Sequence, residues 1–203
     1  MELASRIPGQ DSGFVMNSPL LFDLVRQLSD DSHYEILDIL PATQGVLDLF
    51  SHLSCKLYLP GCSNDLFRMN TEELDTVSNL DRALNKTLGF RANTSQRLDM
   101  VFLWDLPNYM DRRVLASLID YLRPHIKDSV KLHTYIHTRQ FMPMRPARYS
   151  ATTEGKVCVS DLYEATCKSP GYFHEALQEL LYPFQVNRSI LLATGMQEYI
   201  LSL

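Results

Sequence analysis

No Cys-x-x-Cys pair occurs among the four cysteines, Cys55, Cys62, Cys158 and Cys167, which excludes zinc-ribbon and thioredoxin-like chemistry. Reduced thiols, some buried as small apolar side chains, are expected instead. The chain has no Gly-x-x-x-x-Gly-Lys-Ser/Thr loop, no His-Glu-x-x-His and no Gly-x-Ser-x-Gly. P-loop phosphoryl transfer, zincin hydrolysis and the hydrolase elbow therefore lack their defining residues. An excess of positive charge is also missing: 19 Lys and Arg stand against 24 Asp and Glu, a formal charge of −5. Such a balance gives no reason to expect nucleic acid as a partner. No apolar run reaches the ~20 residues of a membrane helix. The first residues, Met1 to Phe14, lack the basic-then-apolar order of a secretion signal. A cytoplasmic protein is expected.

What the chain does have is a normal globular composition, 45% hydrophobic over 203 residues, enough for one domain with a full core. Residues 1–17 are polar with Pro and Gly and read as a flexible arm. Residues 18–203 read as a single domain. Ser18-Pro19 resembles an N-cap followed by proline in the first helical turn, with Leu20, Leu21, Leu24, Val25 and Leu28 on one helical face. Tyr34 to Leu40 is a nearly continuous apolar run broken by Asp38, as suits a parallel strand covered on both sides. A helical stripe follows over Val46 to Leu53, then a short strand over Cys55 to Leu59. Asn70 with Glu73 resembles a capping box for a helix over 71–87, and the segment from Gly89 to Arg97 reads as polar loop. Asp99 to Trp104 is the second strong strand. Asp111 is placed to cap a helix through Leu122, which Arg123-Pro124 stops. Val130 to Ile136 is another strand. Arg139 to Thr153 reads as loop, Lys156 to Val159 as a short extended piece, and 161–166 and 171–182 as helices. Phe184 to Leu192 and Met196 to Leu203 form a hairpin through Ala193-Thr194-Gly195. Strands alternating with helices imply a mostly parallel sheet with helices on both faces. The terminal hairpin must add one antiparallel strand to it.

This order resembles the class I S-adenosylmethionine-dependent methyltransferases. Ile36-Leu37-Asp38-Ile39 is similar to the family's first-strand signature. Leu98 to Tyr109 is similar to its fourth strand and following turn, Leu118 to His137 to the next helix, proline turn and strand, and Phe184 to Leu203 to the last two strands. The resemblance implies a three-layer, doubly wound, mostly parallel seven-stranded α/β sheet with an antiparallel C-terminal hairpin strand, covering about residues 18–203. It also implies S-adenosylmethionine as cofactor. The family's loop after the first strand carries three alternating glycines. Here those positions fall on Leu40, Ala42 and Gln44, and the first glycine is Gly45. Glycines serve there because side chains obstruct close approach of the ligand. The acid expected at the end of the second strand is replaced by Pro60-Gly61-Cys62, with Asp65 several residues late.

The expected cofactor-binding residues are therefore Asp38, Leu40, Ala42, Gln44, Gly45 and Asp105. Asp38 either touches the cofactor or accepts backbone N–H bonds from the loop. Asp105, Asn108 and Tyr109 lie beyond the carboxyl end of a parallel strand, where ligands gather. Asp105-x-Pro107-x-Tyr109 loosely resembles the Asp-Pro-Pro-Tyr motif of amino-group methyltransferases, and is otherwise a turn with a helix cap. Candidate catalytic residues are Asp105, Tyr109 and His137, the last as a general base at a strand end. His133 and His137 stand four apart, which on a strand spans ~13 Å, too far for one metal ion, so no metal is expected. Arg139, Arg145, Arg148 and Tyr149 mark a loop for a substrate or an acidic partner. The function expected is a methyltransferase-like protein with a degenerate cofactor loop and a scaffold or partner-binding role. The alternative is an active methyltransferase on a small-molecule or protein acceptor with an atypical loop.

Overall fold

The computed structural model describes residues 5–6, 13–62, 65–66, 77–89, 97–152, 154–160 and 165–203. In chain order the strands are β1 (Ser5–Arg6), β2 (Gly13–Asn17), β3 (Tyr34–Asp38), β4 (Cys55–Tyr58), β5 (Leu98–Trp104), β6 (Ile126–His137), β7 (Phe141–Pro143), β8 (Arg148–Ala151), β9 (Lys156–Ser160), β10 (Thr166–Lys168), β11 (Gln185–Leu191) and β12 (Met196–Ser202). The helices are α1 (Pro19–Arg26), α2 (Gln44–Phe50), α3 (Val77–Leu88), α4 (Arg112–Leu122) and α5 (His174–Leu180).

The central sheet runs β11-β12-β6-β5-β3-β4. β3 pairs in parallel with β4 and β5, and β5 with β6. β12 is antiparallel to both β6 and β11, so the hairpin does insert one reversed strand. Six strands, where seven were expected, make up this sheet among the described residues. Between β4 and β5 those residues contribute α3 and no strand.

Alternating side chains of the sheet feed two cores, as a sheet covered on both faces requires. On one side Leu37, Ile39, Val101, Leu103, Leu132 and Ile136 meet Leu80 and Leu84 of α3, Val114 and Leu118 of α4 and Leu177 of α5. On the other, Ile36, Met100, Phe102, Trp104 and Tyr135 meet Leu21 and Val25 of α1 and Val46 and Phe50 of α2. A second sheet, β1-β2-β9-β8, antiparallel throughout, joins this latter core through Met16, Tyr149, Ala151, Val157 and Val159. A third, two-stranded sheet pairs β7 with β10.

These two smaller sheets correct three expectations. Gly13–Asn17, counted within the flexible arm, is a strand paired with β9. The stretch from Arg139 to Thr153, expected as loop, contains β7 and β8. Thr166, expected in a helix, starts β10. In each case the strand is short and is completed by pairing, β2 and β8 with β9 and β7 with β10. The Asn70/Glu73 capping box, residues 90–96 of the polar loop, helical residues 161–164, and arm residues 1–4 and 7–12 lie outside the described residues. Asp111 caps α4 as expected, accepting from Arg113 N at 2.8 Å. No helix among the described residues is long and apolar enough to cross a membrane.

Candidate functional site

The carboxyl ends of β3, β4 and β5 are where an open α/β sheet receives a ligand. At the end of β3, Asp38 is 2% exposed. Its Oδ1 accepts from Leu40 N (3.0 Å) and from the indole Nε1 of Trp104 (2.7 Å). Burial pushes its carboxyl up to about 7, against the two hydrogen bonds, which favour the charged form. The Trp104 indole reaches Asp38 because β5 slips register against β6 between Phe102 and Trp104 and Trp104 adopts φ +52°. A bulky side chain rarely takes that conformation, and a bulge is a device that re-aims a side chain. Thr134 holds the strained peptide by donating to the Trp104 carbonyl at 2.6 Å.

Above Trp104 lies Tyr149 of β8, its ring stacked at 5.0 Å and 15°. Tyr149 stacks in turn on Tyr135 at 5.4 Å. The loop after β3 is clamped to the same strand: Thr43 Oγ1 donates to the Tyr149 carbonyl (3.1 Å) and accepts from Val46 N (3.3 Å), capping α2. Gly45 lies flat against β8, where a β-carbon would collide with the Ala151 carbonyl oxygen and Ser150 Oγ. Its glycine therefore serves packing between α2 and β8. The loop after β4 closes the other side, with Cys62 N donating to the Ile39 carbonyl at 3.1 Å.

The expected cofactor residues sit in different surroundings among the described residues. Leu40 is buried in the core. Ala42 and Gln44 are exposed, Gln44 Nε2 being bound to Asp48 Oδ1 at 2.7 Å. Asp65 is exposed as well. Gln44 and Gly45 line a broad cleft of about 800 Å³ between α1, α2 and the second sheet, which includes none of Asp38, Leu40 or Asp105.

The expected catalytic residues do converge. A smaller cavity of about 250 Å³ lies beyond β5 and β6, lined by Asp105, His137, Arg139, Tyr149 and Thr194 with apolar neighbours. Asn108 ties two of the lining residues together: Nδ2 donates to the Asp105 and Tyr135 carbonyls (2.6 and 2.9 Å), and Oδ1 accepts from His137 N (2.9 Å). Asp105 is 1% exposed, and its Oδ2 accepts from Ala147 N at 3.2 Å. Burial pushes this carboxyl up to about 7, moderated by the Ala147 N–H and the Tyr149 and Tyr109 hydroxyls. Burial, reinforced by the Arg139 charge, pushes His137 down to about 4. Tyr109 sits edge-on to His137 at 6.4 Å. Of the expected partner residues, Arg139 lines this cavity, Arg145 and Arg148 are exposed, and Tyr149 is buried. Thr194 was missed. The pairing of Met196 with His137 puts the hairpin turn beside the end of β6, and that register was the available signal. Among the described residues no cluster of three or more His, Cys, Asp or Glu could hold a metal.

A mixed sheet with one inserted antiparallel strand and helices on both faces make this a mixed α/β fold, with polar side chains gathered beyond β5 and β6. No family model and no curated protein matches the sequence. Solved structures similar to it include the pyocyanin biosynthetic protein PhzM, at 13% identity and TM-score 0.45 over 91% of this chain and 54% of that one. An S-adenosylmethionine-dependent methyltransferase from Clostridium acetobutylicum aligns at 11% identity and TM-score 0.48, over 91% and 89%. The glycopeptide N-methyltransferase MtfA complexed with S-adenosylmethionine aligns at 12% and 0.47, over 98% and 99%. The chain spans about half the length of PhzM.

Proposed function

We propose that this chain is a methyltransferase-like module that binds S-adenosylmethionine weakly or not at all and serves as a binding scaffold. The observation that carries the reading is the Asp38–Trp104–Tyr149 stack. The groups that would face a nucleoside at the end of β3 are engaged with one another: the Asp38 carboxylate with the indole, the indole with Tyr149, and the Ile39 carbonyl with Cys62. Admitting a cofactor there would require breaking a buried hydrogen bond and an aromatic stack, each worth roughly 0.5–1.5 kcal/mol, and displacing β8 from α2. The sheet needs no ligand to stand, because apolar burial on both faces holds it.

Thermal unfolding with millimolar S-adenosylmethionine or S-adenosylhomocysteine tests this. A ligand at 100 times its dissociation constant stabilises by about 2.7 kcal/mol, an easily read rise in melting temperature. No rise is expected. A saturable rise that disappears in Asp38→Ala would overturn the reading in favour of an active methyltransferase with an atypical loop.

A further inference from the structure

We propose that the cavity beyond β5 and β6 binds a small zwitterion of the amino-acid type, with its ammonium on Asp105, its carboxylate toward Arg139 and its side chain among Phe14, Val159 and Met196. Three buried polar atoms that border this cavity, Asp105 Oδ1, His137 Nε2 and Thr194 Oγ1, have no hydrogen-bond partner among the described residues. An unmade bond at a buried polar atom costs about 1–3 kcal/mol, and folded proteins leave few such atoms. Three of them round one space of about 250 Å³ indicate a site completed by something bound.

The size of the space and the nature of its walls narrow the occupant. The volume equals roughly eight waters at about 30 Å³ each, room for one molecule of amino-acid size. Phe14, Val159 and Met196 give it an apolar wall, which water does not complement and a hydrocarbon side chain does. Its polarity is divided. At one end is the Asp105 carboxyl, whose Oδ1 is free to accept from a cationic donor. At the other end, burial, reinforced by the Arg139 charge, keeps the His137 ring neutral. Arg139 lies over Gly195, where a β-carbon would strike its side chain. A neutral imidazole and the Thr194 hydroxyl can both donate to a carboxylate that Arg139 attracts. An amine alone would be repelled by Arg139, and an acid alone by ionised Asp105. A molecule carrying both charges satisfies both ends. The cavity shares Tyr149 with the stack at the end of β3, but neither Asp38 nor Trp104 lines it.

Thermal unfolding of the full chain with L-leucine and L-phenylalanine tests the proposal. The matched amines (isoamylamine and phenethylamine) and matched acids (isocaproate and hydrocinnamate) are run beside them. A saturable rise in melting temperature is expected with at least one amino acid. Half-saturation should be at least about tenfold weaker for its amine and its acid, and about tenfold weaker in Asp105→Asn and in Arg139→Gln. Arg139 is exposed, so Arg139→Gln remains informative should Asp105→Asn fold poorly. No rise with either amino acid, an equal rise with the amine or acid alone, or a rise unchanged in Arg139→Gln would overturn the proposal. S-adenosylmethionine is measured in parallel. A rise with it that survives both variants would overturn the scaffold reading and leave this site untouched.

Discussion

At the scale of single residues, Asp38 is the one whose role changes most between sequence and structure. A carboxyl in an apolar strand was open to two readings, cofactor contact or support of its own loop. The bonds to Leu40 and Trp104 make it a loop and indole support. Its carboxyl is raised from 3.8 to about 7, so the fold holds a proton that the unfolded chain gives up near its ordinary value. The fold therefore binds more protons than the unfolded chain between about pH 4 and 7, and stability falls as pH rises through that window. The contribution is whole below the unfolded value and gone above the folded one. Asp38→Asn keeps an oxygen for both donors and does not titrate. Measured by urea unfolding across that range, Asn should gain on Asp as pH rises, by at least ~1 kcal/mol, since each pKa unit is worth about 1.4 kcal/mol. Parallel pH curves for the two proteins would contradict this account.

Elements show why a residue can be read correctly for the wrong reason. Ser18 stands at the N-cap of α1, as its sequence suggests, but its side chain makes no cap bond. Glu198 of β12 does that work, accepting from Leu20 N (3.1 Å) and Leu21 N (2.9 Å) while bonding Ser18 Oγ (2.5 Å) and His133 Nε2 (3.0 Å). Burial alone would raise this carboxyl, but the His133 hydrogen bond and charge, with Ser18 and Leu21, bring it below its usual value. In Glu198→Gln one acceptor oxygen becomes a donor facing an N–H. The expected cost is ~1–3 kcal/mol or more, and hydrogen exchange should show α1 amides losing protection ahead of those in β5. Ser18→Ala should cost less, and α1 should keep its protection. The same logic separates legible elements from illegible ones. β3, β5, β6 and the β11–β12 hairpin announce themselves by runs of apolar residues that need no knowledge of partners. The strands β2 and β8 are short and mixed, Arg148-Tyr149-Ser150-Ala151 for example, and become strands by pairing with β9, which alone of the three could be read as extended. The site divides likewise. Asp105, Tyr109 and His137 could be read from their position past strand ends. Thr194 and Phe14 arrive from the hairpin and from the N-terminal strand, and only the three-dimensional register brings them to the same cavity.

Across the whole molecule, the residues after β3 are one part of a wider cover over that strand's end. Leu40, Ala42 and Gln44 looked like three side chains projecting into a cofactor. Leu40 instead points into the core, and the other two face solvent. The end of β3 is covered from further away, by β8 folding back from beyond β6 and by the loop after β4. Restoring the family pattern locally should then fail. In Leu40→Gly/Ala42→Gly/Gln44→Gly, loss of the buried Leu40 side chain costs on the order of 2–5 kcal/mol, and added backbone freedom costs about 0.5–1 kcal/mol per glycine within regular structure. The variant should melt well below the parent and still show no rise with millimolar S-adenosylmethionine. A cofactor-dependent rise in that variant would place the cause of the proposed weak binding in the loop itself. Its absence, together with a gain of binding when Trp104→Ala and Tyr149→Ala are combined, would place it in the β8 cover. The two covers are separable because Leu40 and Tyr149 reach the same core from different strands, and only the second of them stacks on the indole that holds Asp38.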